Sequence, residues 1–204
     1  MITTLNQLDR TKKYNYGDYI LWQFQERVEL LKGHLFPMAA PNVRHQQISL
    51  ALTLAIGAFL RKNPCQLFTA PFDVRLPLPS RRITGAKIDT VVQPDLCVIC
   101  DKAKLDKQGC IGAPDLIVEI LSPGNSKREM KDKFELYQEA GVLEYWVIDP
   151  VHNLAFTYSI NSDTHKFVPI VPVLTDEDYL ESTLFEGLKI ALADVFPEEE
   201  INSK

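Results

Sequence analysis

The clearest alternation of apolar and polar positions lies between Pro114 and Pro150. Residues 115–121 are apolar except for Asp115 and Glu119, and their Ile and Val content predicts a buried β-strand. Side chains alternate along a strand, so Glu119 lies on one face and the opposite face is wholly apolar, with Leu116, Val118 and Ile120. A buried carboxylate is costly unless a cation or hydrogen-bond donors compensate it. The strand therefore predicts a positive or donating partner for Glu119.

A helical pattern follows directly. Ser126 and Glu129 form an S-x-x-E capping box, which predicts the helix start. Apolar side chains then recur at helical spacing, at Met130, Phe134 and Tyr137. Gly141 predicts the helix end, and the apolar run 143–148 predicts a second strand.

The remaining pattern predicts two hairpins, one long helix and two further strands. The predicted elements are a hairpin over 28–38, a helix over 43–62 capped by Asn42, strands over 66–76 and 90–100, a polar connection over 101–113, and a hairpin of 154–160 with 166–171. Asp18 is predicted to cap a short helix, and residues 1–17 and 198–204 to be loosely ordered. The core order of helix, strand, strand, strand, helix, strand predicts an α/β (α+β) fold with a mixed sheet, in a single domain over 1–204. Sequential strands usually pair, so 94–100 and 115–121 are expected side by side.

Composition narrows the classes of protein that fit. The chain has 204 residues, with 46% hydrophobic and 24% charged residues, as in an ordinary globular domain. No apolar run reaches the length of a membrane span, and the first residues show no secretory pattern, so a cytoplasmic location is expected. The net charge of −5 argues against a broad nucleic-acid-binding surface. Any contact with nucleic acid is therefore expected to be local and helped by a metal ion.

The four cysteines are expected to be reduced and to bind no metal. Cys97 and Cys100 lie in one predicted strand, where alternation places them on opposite faces, which is poor geometry for a shared ion. Cys65 and Cys110 are predicted to lie in loops.

Two carboxylates and a lysine form the candidate catalytic group. Asp95 and Glu119 lie on strands expected to be neighbours, and Lys133 lies on the helix that follows. Carboxylates suit Mg²⁺ or Mn²⁺, and such an ion supports hydrolysis of a phosphodiester. Two structural alternatives stay open: Asp95 could bond backbone groups at a strand start, and Glu119 could form a buried pair with a lysine or arginine.

Other polar residues are weaker candidates for the same site. Lys127, Arg128 and Lys131 crowd the predicted helix N-terminus, where they either bind phosphate or are simply solvated. Three further residues could approach the site as accessories: His45, Gln46 and Glu29. For His45 a surface or capping role is an equal alternative, and for Glu29 a solvated position on the hairpin is the favoured one.

Four runs of the sequence resemble the Uma-type restriction endonuclease family of the PD-(D/E)XK nuclease superfamily. These runs are QPDLCVI, APDLIVEILSPGNS, REMKDKFELY and GVLEYWVIDP. The resemblance implies a restriction-endonuclease-like core and metal-dependent hydrolysis of DNA.

The resemblance also implies roles for individual residues. It assigns the motif aspartate to Asp95 and the acidic strand residue to Glu119. The motif lysine is absent at Leu121, and in this family it corresponds to Lys133 on the helix. The family histidine falls on His45. The family's D-G-E turn is replaced here by lysine, glycine and histidine at 32–34.

Two functions from different classes follow. The first is an endonuclease that uses Mg²⁺ or Mn²⁺ and acts on DNA, as a homodimer because one small site cuts one strand at a time. The second is a non-catalytic module of the same fold that binds nucleic acid or protein. Retention of Asp95, Glu119 and Lys133 favours the first, and the altered turn favours the second.

Overall fold

The structure, a computed structural model, describes residues 4–24, 26–81, 83–122 and 127–197, with only the backbone of 127–129. The helices are α1 (Tyr16–Tyr19), α2 (Val43–Leu60) and α3 (Lys127–Ala140). The strands are β1 (Val28–Leu31), β2 (His34–Pro37), β3 (Gln66–Thr69), β4 (Val74–Arg75), β5 (Val91–Val92), β6 (Leu96–Ile99), β7 (Leu105–Asp106), β8 (Gly109–Ile111), β9 (Leu116–Ile120), β10 (Glu144–Asp149), β11 (Leu154–Ile160), β12 (Phe167–Pro169), β13 (Tyr179–Glu181) and β14 (Lys189–Ala191). Among these described helices, none has the length and apolarity needed to cross a bilayer.

The central sheet is built around the predicted strand, helix and strand. Its order is β12-β11-β10-β9-β6-β3, in which only β9 and β10 run parallel. Helix α3 connects these two strands, as a parallel pair requires a crossover. The predicted mixed α/β fold is confirmed, and β6 and β9 are neighbours as expected. The predicted capping box of Ser126 and Glu129 lies outside the described residues.

Both faces of the central sheet are covered by a helix. The apolar face of β9 packs with α2 through Ile48, Leu52 and Ile56, which recur at the helical spacing of four residues. The opposite face packs against α3 through Leu136 and Tyr137. Glu119 is therefore enclosed between β9 and α3, in the interior that makes an unpaired carboxylate costly.

A second sheet has the order β2-β1-β5-β4-β8-β7. The predicted strands 66–76 and 90–100 are each divided between the two sheets, as β3 with β4 and as β6 with β5. Pro71 and Pro94 lie at the breaks, where a residue without an N–H cannot continue the hydrogen-bond ladder. The predicted polar connection 101–113 adds the short hairpin of β7 and β8 to this sheet. Asp95 consequently lies where the chain passes from one sheet to the other.

The N-terminal segment is more ordered than predicted. Leu8, Tyr14 and Tyr16 are buried against the second sheet, in a cluster with Leu30, Ile88 and Val91. Helix α1 is capped by Asn15, whose side chain accepts from the Asp18 N–H, while the Asp18 carboxylate accepts from the Asn15 N–H. Asp18 is thus the third helical residue and not the cap. These three buried side chains are separated by polar residues, so the sequence pattern did not indicate that the segment is ordered.

The expectation that all cysteines are reduced is wrong, because Cys65 and Cys100 form a disulfide. Gln66 pairs with Ile99 in the antiparallel β3–β6 ladder, so the next residues outward, Cys65 and Cys100, lie opposite each other. Cys97 and Cys110 are free and buried, and Cys110 lies in β8 and not in a loop. The argument for a reducing compartment from thiol usage therefore loses its basis.

Glu144 joins the C-terminal part of the chain to the central sheet. It is fully buried, and its Oε1 accepts a hydrogen bond from the Trp146 indole at 2.7 Å. Its Oε2 accepts from the Ser182 hydroxyl, from the Thr183 N–H and hydroxyl, and from the Leu184 N–H. Five donors thus satisfy one buried carboxylate, which fixes the turn before β14 against β10.

Unfolding the protein without reductant should expose two reactive thiols, from Cys97 and Cys110. Dithiothreitol should release two more and lower the free energy of unfolding by about 2–4 kcal/mol, because the loop between Cys65 and Cys100 no longer restricts the unfolded chain. Thiol titration in denaturant and thermal melts measure both effects. Cys65→Ser should abolish the effect of dithiothreitol on the melt, whereas Cys97→Ser should retain it. Four reactive thiols in the unreduced protein would contradict the bond.

Candidate active site

The acidic residues singled out from the sequence lie around one cleft of about 380 Å³. The cleft is bounded by the β1–β2 hairpin, the first half of α2 and the adjoining ends of β6 and β9. Its charged and polar lining is Arg27, Glu29, His45, Gln46, Ser49, Thr53, Thr69, Asp95, Glu119, Ser122 and Lys133. The three predicted catalytic residues, Asp95, Glu119 and Lys133, are thus brought to the same site.

Lys133 is the cation that joins two of the carboxylates. Its Nζ lies 2.9 Å from Glu119 Oε1 and 3.2 Å from Glu29 Oε1 and Oε2, and all three side chains are buried. Tyr137, one turn further along α3, donates its hydroxyl proton to the same Glu119 oxygen at 2.5 Å. The buried ion pair considered as an alternative for Glu119 is therefore present, and its partner is the candidate catalytic lysine.

Glu29 is not the solvated carboxylate that its place on the hairpin suggested. It is only 2% exposed, and its Oε1 accepts a hydrogen bond from the Gln93 N–H at 2.8 Å. The reason is tertiary: β1 is an interior strand of the second sheet, between β2 and β5. Glu29 therefore belongs to the site.

Asp95 is held by the backbone of the neighbouring strand and by a histidine. Its Oδ2 accepts from the Ile120 N–H at 2.8 Å and lies 3.3 Å from His45 Nε2. His45 is buried, so a surface position is excluded, and Asn42 fixes its backbone by accepting from its N–H. Burial disfavours the imidazolium, but the hydrogen bond and charge of Asp95 outweigh burial and raise the pKa of His45 above its ordinary value.

The site holds more negative charge than its lysine neutralises. Burial is the largest influence on Glu119 and raises its pKa; Lys133 lowers the pKa, while Asp95 and Glu29 raise it, and the result is about 7. Burial lowers the pKa of Lys133, but the charges of Glu119 and Glu29 outweigh burial. The pKa of Lys133 is therefore raised, and its ammonium group stays charged. Among the described residues, Lys133 is the only permanently charged cation that pairs with any of these three carboxylates, an imbalance around it that favours binding a proton or a metal ion.

The donor set fits a hard cation such as Mg²⁺. Among the described residues, Asp95 Oδ1 and Glu119 Oε2 receive no hydrogen bond, while the second oxygen of each carboxylate is held in place. In the same part of the chain no group of three or more His, Cys, Asp or Glu side chains is arranged to hold an ion. An ion here would rest on two carboxylates, as is usual for Mg²⁺, which keeps its remaining positions for water and substrate oxygens.

The other predicted residues are placed differently. Gln46 is exposed and lines the cleft. Lys131 is 73% exposed, pairs with Glu135 at 3.6 Å and does not line the cleft. The side chains of Lys127 and Arg128 lie outside the described residues, so phosphate binding by this group stays a prediction.

Sequence reasoning missed three residues of the site. Tyr137 could have been found, because Lys133 and Tyr137 are four residues apart on one helical face. Gln93, which precedes Pro94 and Asp95, binds Glu29 through its N–H and Arg27 through its side-chain oxygen, at 2.8 and 2.9 Å. Nothing in the local pattern around Arg27 indicates that it reaches the cleft.

Comparison with known proteins finds the same fold in a nuclease-like protein and shows the family to which the chain belongs. A solved structure from Anabaena variabilis, described as "a putative nuclease belonging to DUF820", matches with a TM-score of 0.63 and 18% identity over 83% of this chain and 89% of that one. The model of the family Uma2, described as "Putative restriction endonuclease", matches residues 17–193, and the chain belongs to this family. An uncharacterized protein of Synechocystis sp. is 23% identical over 138 residues, which are 67% of this chain and 68% of that protein.

The raised pKa of Glu119 predicts a pH-dependent difference between the wild type and Glu119→Gln. Because the folded state holds this proton up to about pH 7, its stabilising effect is complete below 4.5 and is lost as the pH rises through 7. In metal-free buffer, wild type should therefore lose stability as the pH rises from 5 to 8, while Glu119→Gln should not. The free energy of unfolding of Glu119→Gln relative to wild type should rise over this range by on the order of a kcal/mol. Melting curves across this range measure the difference. Glu135→Gln, on the exposed face of the same helix, is the control, and a difference independent of pH would contradict the prediction.

Tyr137→Phe should destabilise the fold by about 1–2 kcal/mol, because it removes a buried donor from a carboxylate. The same change should move the pH range of the Glu119 effect upward, since the Tyr137 hydrogen bond lowers the pKa of Glu119. Tyr145→Phe is the matched control: its ring lies 5.2 Å from that of Tyr137, but its hydroxyl bonds no described residue. Melts of both variants across pH compare them, and equal behaviour would exclude the specific role of the Tyr137 hydroxyl.

Proposed function

We propose that the protein is a metal-dependent DNA endonuclease whose metal ligands are Asp95 and Glu119. The observation that carries the proposal is a pair of carboxylates around which negative charge is in excess. In each of them one oxygen is held by hydrogen bonds and the other receives none from the described residues. The family match supports the nuclease class, and Mg²⁺ or Mn²⁺ is the ion that the oxygen donors suit.

Each side chain has a defined part in this proposal. The Ile120 N–H and His45 orient Asp95, and Tyr137 and Lys133 orient Glu119, so that the other oxygen of each carboxylate would be left to hold an ion. The chemistry that an ion supplies in such a site is polarisation of a phosphoryl oxygen and a lowered pKa of bound water. Lys133 Nζ would donate a hydrogen bond to the negative charge that develops on the phosphoryl group.

The substrate and the assembly belong to the same proposal. DNA is the proposed substrate, with Lys127, Arg128 and Lys131 at the start of α3 as phosphate contacts. A homodimer is proposed because one site of this size cuts one strand at a time.

A non-catalytic nucleic-acid- or protein-binding module is the second candidate. The β1–β2 turn favours it, since Lys32, Gly33 and His34 occupy the position of the family's acidic turn, and Lys32 pairs instead with Glu139 at 2.8 Å. Lys133 is also already paired with two carboxylates, so a substrate phosphate must compete for its protons.

Incubation with supercoiled plasmid and Mg²⁺ or Mn²⁺ tests the proposal. Wild type should convert the plasmid to nicked or linear DNA, Asp95→Asn and Glu119→Gln should lose this activity, and Lys133→Met should slow it by about 100- to 1,000-fold. Glu135→Gln should cleave like wild type. Mg²⁺ should also raise the melting temperature of wild type and leave Glu119→Gln nearly unchanged, because only the intact site gains stability by binding.

The two candidates separate by these results. Binding of DNA without cleavage under any metal condition, together with no effect of Mg²⁺ on the melting curve, would support the non-catalytic module. A large loss of stability in metal-free Glu119→Gln would make the Lys133 pair structural, since removal of one partner of a required buried pair costs about 3–5 kcal/mol.

A further inference from the structure

Arg27 is the one cation among the described cleft residues that faces no carboxylate. Its Nε donates to Gln93 Oε1 at 2.9 Å, and its Nη2 is buried and has no hydrogen-bond partner. The other cationic or basic side chains of the cleft lining, Lys133 and His45, each contact a carboxylate. Arg27 forms no ion pair within the described part of the chain.

A buried guanidinium N–H without an acceptor is unfavourable, because its lost hydration is not replaced. Glu29, two positions further along the chain and in the same cleft, does not compensate it: the Glu29 carboxylate is bound to Lys133 and to the Gln93 N–H. Arg27, a lining residue of the cleft, therefore carries a charged donor that lacks an acceptor among the described residues, and an anionic acceptor would satisfy it.

Gln93 holds the guanidinium in a fixed orientation. The Gln93 amide nitrogen donates to Asp73 at 2.8 Å and to the Tyr19 hydroxyl at 3.1 Å, so its oxygen is turned toward Arg27. The same residue binds Glu29 through its backbone N–H. Gln93 thus fixes the positions of both the Arg27 guanidinium and the Glu29 carboxylate of the candidate active site.

We propose that Arg27 binds a phosphodiester oxygen of the nucleic-acid backbone within the cleft. The planar guanidinium matches the geometry of phosphate oxygens, Gln93 accepts only from Nε, and a phosphate oxygen would supply the acceptor that Nη2 lacks once the side chain turns toward the cleft. This inference rests on the proposed function for the identity of the ligand, and on the unpaired Arg27 donor for the site.

Binding of a fluorescein-labelled mixed-sequence 20-base-pair duplex, measured by anisotropy in EDTA over a range of KCl, tests the proposal without requiring cleavage. Arg27→Ala should weaken binding about tenfold or more and reduce the slope of log Kd against log salt by about one, as expected for one lost phosphate contact. Arg27→Lys should keep the slope and bind more weakly than wild type, because lysine lacks the planar fork.

Arg61→Ala is the matched control, since Arg61 is an exposed arginine just after α2 that does not line the cleft and its loss removes the same net charge. If Arg27→Ala binds the duplex like Arg61→Ala, with an unchanged slope, the proposal is wrong. If Arg27→Ala has a melting temperature well below that of wild type, the duplex affinity and the salt slope are compared between Arg27→Lys, which keeps the charge, and Arg27→Gln, which removes it. An Arg27→Ala variant that loses stabilisation by inorganic phosphate but keeps full duplex affinity would assign the site to free phosphate and overturn the nucleic-acid proposal.

The outcome is independent of cleavage. A wild type that leaves plasmid intact, together with the predicted loss of slope in Arg27→Ala, would reject the nuclease and retain the phosphate contact. Normal cleavage and normal duplex affinity in Arg27→Ala would reject the phosphate contact alone.

Discussion

The buried contact of Lys133 with Glu119 and Glu29 is the interaction on which the arrangement of the site depends. It joins α3 to β9 of the central sheet, 14 positions away in the sequence, and to β1 of the second sheet, 104 positions away. The cost of burying the Lys133 ammonium is offset by the two carboxylates that contact it. The cost of burying each carboxylate is offset in turn by the charge of Lys133. The contact therefore fixes the relation between the sheets and sets the charge of the cleft at the same time.

Two buried glutamates show how a fully hydrogen-bonded carboxylate differs from one proposed as a metal ligand. Glu144 receives five hydrogen bonds, using both oxygens, and so binds a turn to the sheet. Glu119 receives its donors on one oxygen, and burial, followed by the neighbouring acids, raises its pKa. Both are buried strand glutamates, so the difference lies in the number of donors and the sign of the neighbouring charges.

Much of the core was predictable because its periodicity is local. The strand, helix and strand around α3, the β1–β2 hairpin and the α2 stripe follow from alternation and helical spacing. The division of the two long predicted strands between the two sheets could not be predicted, because alternation continues across a break and does not specify the pairing partner. The Cys65–Cys100 bond was missed for the same reason, as the two residues meet only through the β3–β6 register. In the site, the sequence indicated Asp95, Glu119 and Lys133 and offered Glu29 as a possible accessory, while the burial of Glu29 and the part of Gln93 follow only once β1 and β5 are paired.

The disulfide has a further consequence for the integrity of the cleft. It closes a covalent ring from residue 65 to residue 100 that contains β3 to β6 and Asp95. The exposed stretch from Thr84 to Lys87 lies inside this ring and is the kind of surface segment that proteases cut. A chain cut there would remain one molecule joined through sulfur, with the strand that follows Asp95 still attached to its neighbour β3. Loss of a single peptide bond in that segment therefore does not release the half of the chain that carries Arg27, Glu29 and His45 from the half that carries Asp95, Glu119 and Lys133.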